Sequence, residues 1–397
     1  MTGVAEALPA VASRVDRELA EREAALVRLR RQFHGHPELG FEERWTAATV
    51  ARLLGRLGLV VRNGVGRTGV VADLEGGSPG PRILVRAELD ALPVREAAGE
   101  EFAATSGTAH ACGHDAHLAA LIGIAEVLAH HREELRGSVR FCFQPAEELL
   151  AGAAGMISDG VLEGVDAALG AHVLAALPYG TVAVNSGPVL SGADFFRATV
   201  AGGAGHAGTP GQFADAIVAA AHACTALQAL VARETSPGEL LVAGIGSVRG
   251  GNAANAAPEE VALLGNLRWL ETEVERRAMH RVEEVFSGVA GALGCSALVE
   301  WTGHAPVLAN SPRLASAARE SIEADGLAAV IEMPPLTASD DFAEFSQRVP
   351  GLFLGIGSGG PGYPPHHHPA FRVDERAVLG TARVLCRSLL YAADLGW

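Results

Sequence analysis

Apolar positions recur along this chain with two periods, and the changes between them divide it into elements. Val15, Leu19, Ala24, Leu26 and Leu29 repeat at helical spacing against a charged face. That spacing predicts an amphipathic helix over 15–33 that stops near Pro37. A second helix is expected over 43–57. The run Arg82-Ile83-Leu84-Val85-Arg86 is short, apolar and β-branched, as a strand buried on both faces of a parallel sheet should be. A helix over 117–132 follows, with Leu118, Leu121, Ile122, Ala125 and Leu128 at helical spacing. Strands at 139–143, 167–173 and 352–355 continue the alternation. It predicts an α/β fold with a mostly parallel sheet. Glu88, Asp90, Glu147 and Glu148 stand at or just past the carboxyl ends of these strands, and His366, His367 and His368 lie in the loop after the last. Ligands of open α/β sheets bind at such ends.

Between 190 and 303 the pattern changes. Phe196, Ala198 and Val200 alternate with Arg197 and Thr199, and a Gly-rich turn follows. Next come a helix with Ile217, Ala220, Ala221, Cys224 and Leu227 turned inward, two strands, a helix over 273–293 and a last strand. Strands that are neighbours in sequence favour an antiparallel sheet with helices on one side. The expectation is therefore a two-layer α+β insert over 190–303 that splits a catalytic domain into 1–189 and 304–397.

At 397 residues, 49% hydrophobic and 19% charged, the chain can fill two cores. A net charge of −15 argues against nucleic acid or an anionic membrane as partner. No apolar run reads as a membrane span, and the N-terminal residues lack the basic-then-apolar order of a signal peptide. The five cysteines are scattered and never form a C-x-x-C pair, which suits free thiols in a reducing cytoplasm. Gly355 to Gly360 matches G-x-G-x-x-G, but Pro361, Pro364 and Pro365 stand where a dinucleotide-binding helix would begin.

The chemistry concentrates in His110-Ala111-Cys112-Gly113-His114-Asp115-Ala116-His117. Cys112 and His114 are two apart, so in an extended approach to the following helix both side chains point one way, as two ligands of one metal would. Alone, each of these residues reads as a buried thiol, a capping acid or a surface imidazole; together they read as the first shell of zinc or a similar ion. Glu147 and Glu148 are adjacent and cannot easily serve one ion through the same backbone face. We assign Glu148 to metal and Glu147 to the proton of a water, against the plain alternative of a solvated acidic helix start.

The segments RQFHGHPELGFEE (31–43), RAELDALPV (86–94), HACGHDAH (110–117), FQPAEE (143–148), GAHV (170–173), GGAGHAGTP (202–210), SDDF (339–342) and HHPAF (367–371) occur in that order. In this the chain resembles the amidohydrolase branch of the aminoacylase/carboxypeptidase metallopeptidases, the group with hippurate hydrolases, N-acyl-amino-acid amidohydrolases and auxin-conjugate hydrolases. The resemblance implies two divalent ions, zinc or manganese with cobalt or nickel as alternatives, held by Cys112, His114, Glu148, His172 and a C-terminal histidine. H-x-P-x-F places that histidine at His367, with His366 and His368 as competitors. It also implies Glu147 as general base, His206 as donor to the developing oxyanion, and Asn255 and Arg268 at the substrate carboxylate. Alternation separately turns Arg268 and Asn266 away from the face of Leu267 and Trp269. Asp90 and Asp115 are expected to orient ligands; His34 and His36 read as structural. The insert resembles the group's lid, through which a homodimer would form. Glu88 stands where the group usually has Asp, and Asp340 where it more often has Glu. The implied reaction is hydrolysis of the amide of a small N-acyl amino acid. A metallo-dipeptidase or carboxypeptidase, and a non-catalytic metal or small-ligand binder, are the competing readings.

Overall fold

The computed structural model describes residues 2–396, with side chains from Leu8 onward. The chain divides into two compact units: one built from residues up to Val189, Leu308–Pro334 and those from Asp340 on, the other from Leu190–Val307 and Pro335–Ser339.

The first unit is organised on an eight-stranded sheet. Ser78–Glu88 lies at its centre, parallel to Arg136–Gln144 on one side and to Ala167–Pro178 on the other, and Gly351–Gly359 continues parallel beyond Ala167–Pro178. Antiparallel pairing enters with Val60–Val65 and Gly69–Glu75 at one edge and with Thr181–Ala183 near the other. The architecture is therefore α/β with a large, mostly parallel sheet. Its central strands are buried on both faces because helices cover them, which is why they read as apolar runs.

Two helical expectations change in detail. The helix read over 15–33 is two helices, Thr2–Glu21 and Glu23–His34. The buried stripe Val15, Leu19, Leu26, Arg30, Phe33 runs in phase across the break at Arg22, so periodicity alone could not reveal it. The helix read over 117–132 is His114–His130, and every residue from His114 to Ala125 is buried. It begins at the candidate ligand itself. Its N-cap, Gly113, has φ 94°, and a Cβ there would meet Val173 Cγ2 at 2.4 Å. Both facts require glycine between Cys112 and His114.

In the second unit Leu241–Arg249, Glu260–Trp269, Gly192–Ala201 and Ser296–Ala305 form a four-stranded, wholly antiparallel sheet in that order. Helices Ala216–Arg233 and Thr272–Ala292 bury Ala220, Leu227, Val282 and Phe286 against Phe196, Ala198, Leu263 and Leu267. The Ala216–Arg233 helix buries Ala216, Ala219, Ala220, Ala223, Leu227 and Leu230, whereas Ile217 is 46% exposed. The expected inward set is thus rotated. This helix is apolar on most of its circumference, so its phase is set by the small alanines that allow close approach to the sheet. The same helix is long and apolar enough to cross a membrane by length and composition, which corrects the expectation of no such segment; its alanine face is instead core of this unit. Pro335–Ser339 joins the unit by Leu336, bridged to Leu190, and by Ser191, whose N–H and Oγ–H donate to the carbonyls of Leu336 and Ala338.

Candidate metal centre

Three loops of the first unit carry the side chains that meet. Cys112 and His114 flank the Gly113 turn. Glu147 and Glu148 form the 3-10 turn that follows Arg136–Gln144, entered through Ala146 at φ 49°. His367 lies in the loop after Gly351–Gly359 at φ 65°, its N–H donating to the Ala111 carbonyl at 2.8 Å. Non-glycine residues in this left-handed region are uncommon and cluster where geometry is over-determined. His172 comes from within Ala167–Pro178.

These residues converge. Donor atoms of Cys112, His114 and His172, of Cys112, Glu148 and His367, and of His114, Glu147 and Glu148 each lie within 4.8 Å of one another. Cys112 Sγ is 3.4 Å from His172 Nε2, His114 Nε2 is 3.9 Å from Glu148 Oε1 and 3.8 Å from Glu147 Oε2, and His367 Nε2 is 3.4 Å from Glu148 Oε2.

Hydrogen bonds decide which nitrogens are free. His114 Nδ1–H donates to the Asp90 carbonyl at 2.9 Å and His172 Nδ1–H to the Val173 carbonyl at 2.8 Å. Because a carbonyl only accepts, both rings carry Nδ1 protons and present bare Nε2 lone pairs, the arrangement of a metal-ligating histidine. His117 is the same tautomer with its lone pair already taken: Val173 N–H donates to its Nε2 at 3.0 Å and its Nδ1–H donates to Glu88 at 2.8 Å. Although Glu88, His117 and His172 also lie close enough to surround an ion, His117 has no lone pair to give. His366 likewise accepts the Ala175 N–H at Nε2, 3.3 Å away.

Among the described residues, three buried polar atoms of this cluster lack a hydrogen-bond partner: His114 Nε2, Glu148 Oε1 and Asp90 Oδ1. Such atoms are costly unless something else satisfies them. Burial disfavours protonation of His114, yet Glu88, Asp90 and Glu148 outweigh it and push its pKa up to about 10. Burial, together with Asp340 and Glu148, holds Glu147 well above the carboxylate range. A centre that draws protons onto its own ligand is short of positive charge. Thiolate, imidazole and carboxylate donors suit a divalent ion of the zinc type, so the residues fit such a group.

The residue that motif reading left without a role is Arg86. Its fully buried guanidinium bonds Glu88, donates to Asp340 Oδ1 at 2.8 Å and Gln144 Oε1 at 2.9 Å, and reaches Asp341 Oδ1 at 3.3 Å. The available signal was an arginine inside a buried apolar strand, which must find anions. Asp90 accepts the Glu148 N–H at Oδ2, 3.0 Å away, and so orients two candidate ligands, one through its carbonyl. Asp115 does not touch a candidate ligand imidazole. It accepts from His34 Nδ1 at 2.8 Å and Arg30 Nε at 2.9 Å. Glu88 acts on His117 and Arg86, while Asp90 acts on Glu148 and His114.

In the second unit His206 is exposed on the short ribbon that Gly205–His206 forms with Ala256–Ala257, and the Asn255 carbonyl accepts the Ala207 N–H. Gly208 N–H donates to His206 Nδ1 at 3.0 Å, which leaves the ring proton on Nε2. Arg268 lies on the sheet face away from the core, donates to Ser339 Oγ at 2.6 Å and stands over Phe195.

Residues 84–391 match the model of Peptidase family M20/M25/M40. A Bacillus subtilis protein named N-acetyl-L-cysteine deacetylase is 36% identical over 371 residues, 93% of this chain and 88% of its own length. The Arabidopsis thaliana protein named IAA-amino acid hydrolase ILR1-like 2 is 37% identical over 360 residues, 88% of this chain and 81% of its own. Among solved structures, the Bacillus subtilis YXEP protein, described as a dinuclear metal binding peptidase, superposes with a TM-score of 0.81 at 32% identity, covering 94% of this chain and 99% of that one.

Proposed function

The chain belongs to peptidase family M20/M25/M40, and from that premise we propose that it is a two-metal amidohydrolase that cleaves the amide of small N-acyl amino acids. The observation that carries the proposal is the pair of buried, partnerless donors His114 Nε2 and Glu148 Oε1, 3.9 Å apart. Cys112, His114, Glu148, His172 and His367 would hold two divalent ions, zinc or manganese first, cobalt or nickel as substitutes. Bound there, the ions would supply Lewis acidity to the scissile carbonyl and lower the pKa of water.

The rest falls to the protein's own groups. Glu147, buried and with its affinity for a proton raised, takes the proton from the attacking water and delivers it to the leaving amine. His206 offers its Nε2–H to the oxygen that gains charge, a contribution on the order of 3 kcal/mol when such a donor is lost. Arg268 and Asn255 receive the carboxylate of the amino-acid portion; in a chain of net charge −15 such an anion needs a local cation. The relatives' names, a deacetylase of N-acetylcysteine and a hydrolase of auxin conjugates, support N-acyl amino acids as the substrate class. A homodimer through the second unit is favoured by Val242, Leu264 and Leu298, exposed on its sheet.

The test is a screen of N-acetyl, N-benzoyl and indole-acetyl amino acids, with each metal added back to chelated protein. At least one conjugate should be cleaved, and Glu147→Gln should lower kcat by about 10²–10⁴-fold while metal content stays at the wild-type value. Cleavage of none of them overturns the substrate class; unchanged turnover in Glu147→Gln overturns the base.

A further inference from the structure

His366 is half-buried beside the centre, and the reaction proposed above gives it nothing to do. Its ring lies 5.3 Å from that of His172 and 4.9 Å from that of Phe371, and its Nδ1 is 3.9 Å from Cys112 Sγ. The simple reading of an imidazole so close to a candidate thiolate is a further ligand. The hydrogen bonds exclude it. Ala175 N–H donates to Nε2 at 3.3 Å, so Nε2 carries no proton and the single proton of the neutral ring is on Nδ1. Neither nitrogen keeps a lone pair for an ion, and the N–H points at sulfur. Cys112 needs such a partner: it is buried, and its sulfur lies within 4.8 Å of a Glu148 carboxylate oxygen. A thiolate in that negative surrounding is helped by any donor that faces it.

We propose that His366 is a positioning residue for Cys112, donating Nδ1–H to the sulfur so that the thiolate is held and aimed as a metal ligand. The proposal rests on the two-metal reading. His172 and His366 thus flank Cys112 as the same Nδ1–H tautomer turned opposite ways, one offering its Nε2 lone pair to the centre and the other its Nδ1 proton to the thiolate. Both tautomers are imposed by backbone groups of the same strand, the Val173 carbonyl and the Ala175 amide. Outer donors of this kind are worth about 10–100-fold in metal affinity.

The test uses cobalt as the probe. Cobalt-loaded wild-type protein should show a sulfur-to-cobalt charge-transfer band. His366→Leu should retain the same number of cobalt equivalents, shift that band to longer wavelength as the sulfur loses its donor, and bind cobalt about tenfold more weakly. His366→Asn, whose amide N–H stands where Nδ1 stood, should restore both. If His366→Leu loses its fold, His366→Gln carries the same expectation, since its amide sits at the Nε2 position. An unmoved band in the donor-less variant overturns the proposal. So does loss of one cobalt equivalent, which would make His366 a direct ligand. Absence of any thiolate band in the wild-type protein overturns Cys112 as a ligand, and that failure is read before any variant is made.

Discussion

Two buried charge clusters sit side by side in the first unit, and they are balanced differently. Around Arg86, one guanidinium faces Glu88, Asp340 and Asp341, with Gln144 completing its bonds. Each of these carboxylates has a protein partner. Around His114, Glu148 and Asp90, buried polar atoms have no hydrogen-bond partner among the described residues. The first cluster is complete as protein; the second leaves buried atoms that the proposed cations would satisfy. The difference teaches that burial of charge does not mark a site by itself. What marks it is the place where the protein declines to supply its own counter-ion.

The contrast can be broken at its complete end. Arg86→Met would leave three carboxylates uncompensated, and should cost about 3–5 kcal/mol of folding stability that added metal does not restore; chemical denaturation with and without zinc measures both. A loss below 1 kcal/mol would mean the Arg86 cluster is not what holds these strand ends. A smaller effect is expected at the open end. Zinc at about 100 times its Kd should stabilise wild-type protein by about 2.7 kcal/mol, and Glu148→Gln should abolish most of that gain. In metal-free protein the same Glu148→Gln should cost up to about 1 kcal/mol, since Glu148 Oε2 faces His367 Nε2 and His114 lies beside Oε1. A gain in stability there would show that the unpartnered Oε1 outweighs those contacts.

A pH-dependent effect is expected at a pair that resembles the complete cluster. Burial opposes the charge on His34, but Asp115 and Glu96 hold its pKa at about 9, above the roughly 6.5 of an unfolded histidine. Its ion pairs therefore contribute fully below about pH 6.5 and are lost as pH rises through about 9. Thermal stability followed from pH 6 to 9.5 should fall in that window for wild-type protein. It should be flatter for His34→Gln; parallel curves would remove His34 from the account.

The order of strands and helices was legible because burial imposes its period on the residues that pack, whether in the sheet from Ser78–Glu88 to Gly351–Gly359 or in the antiparallel strands of the second unit. Candidate chemistry was legible as well, since Cys112, His114, Glu147 and Glu148 crowd two short motifs. What stayed hidden was contributed by partners distant in sequence. Nothing near Arg22 disturbs the apolar stripe, so one expected helix became two. The phase of Ala216–Arg233 depended on which alanine face could approach the sheet. Asp115 found His34 and Arg30 in place of a ligand. Arg86 drew its partners from Glu88, Gln144, Asp340 and Asp341. Of the neighbouring histidines in the last loop, His366 turned its proton to Cys112 because the Ala175 amide, 191 residues away, occupies its other nitrogen. A sequence can declare that an imidazole is present; only the folded backbone, by placing a carbonyl or an N–H against one nitrogen, decides which nitrogen is left to act.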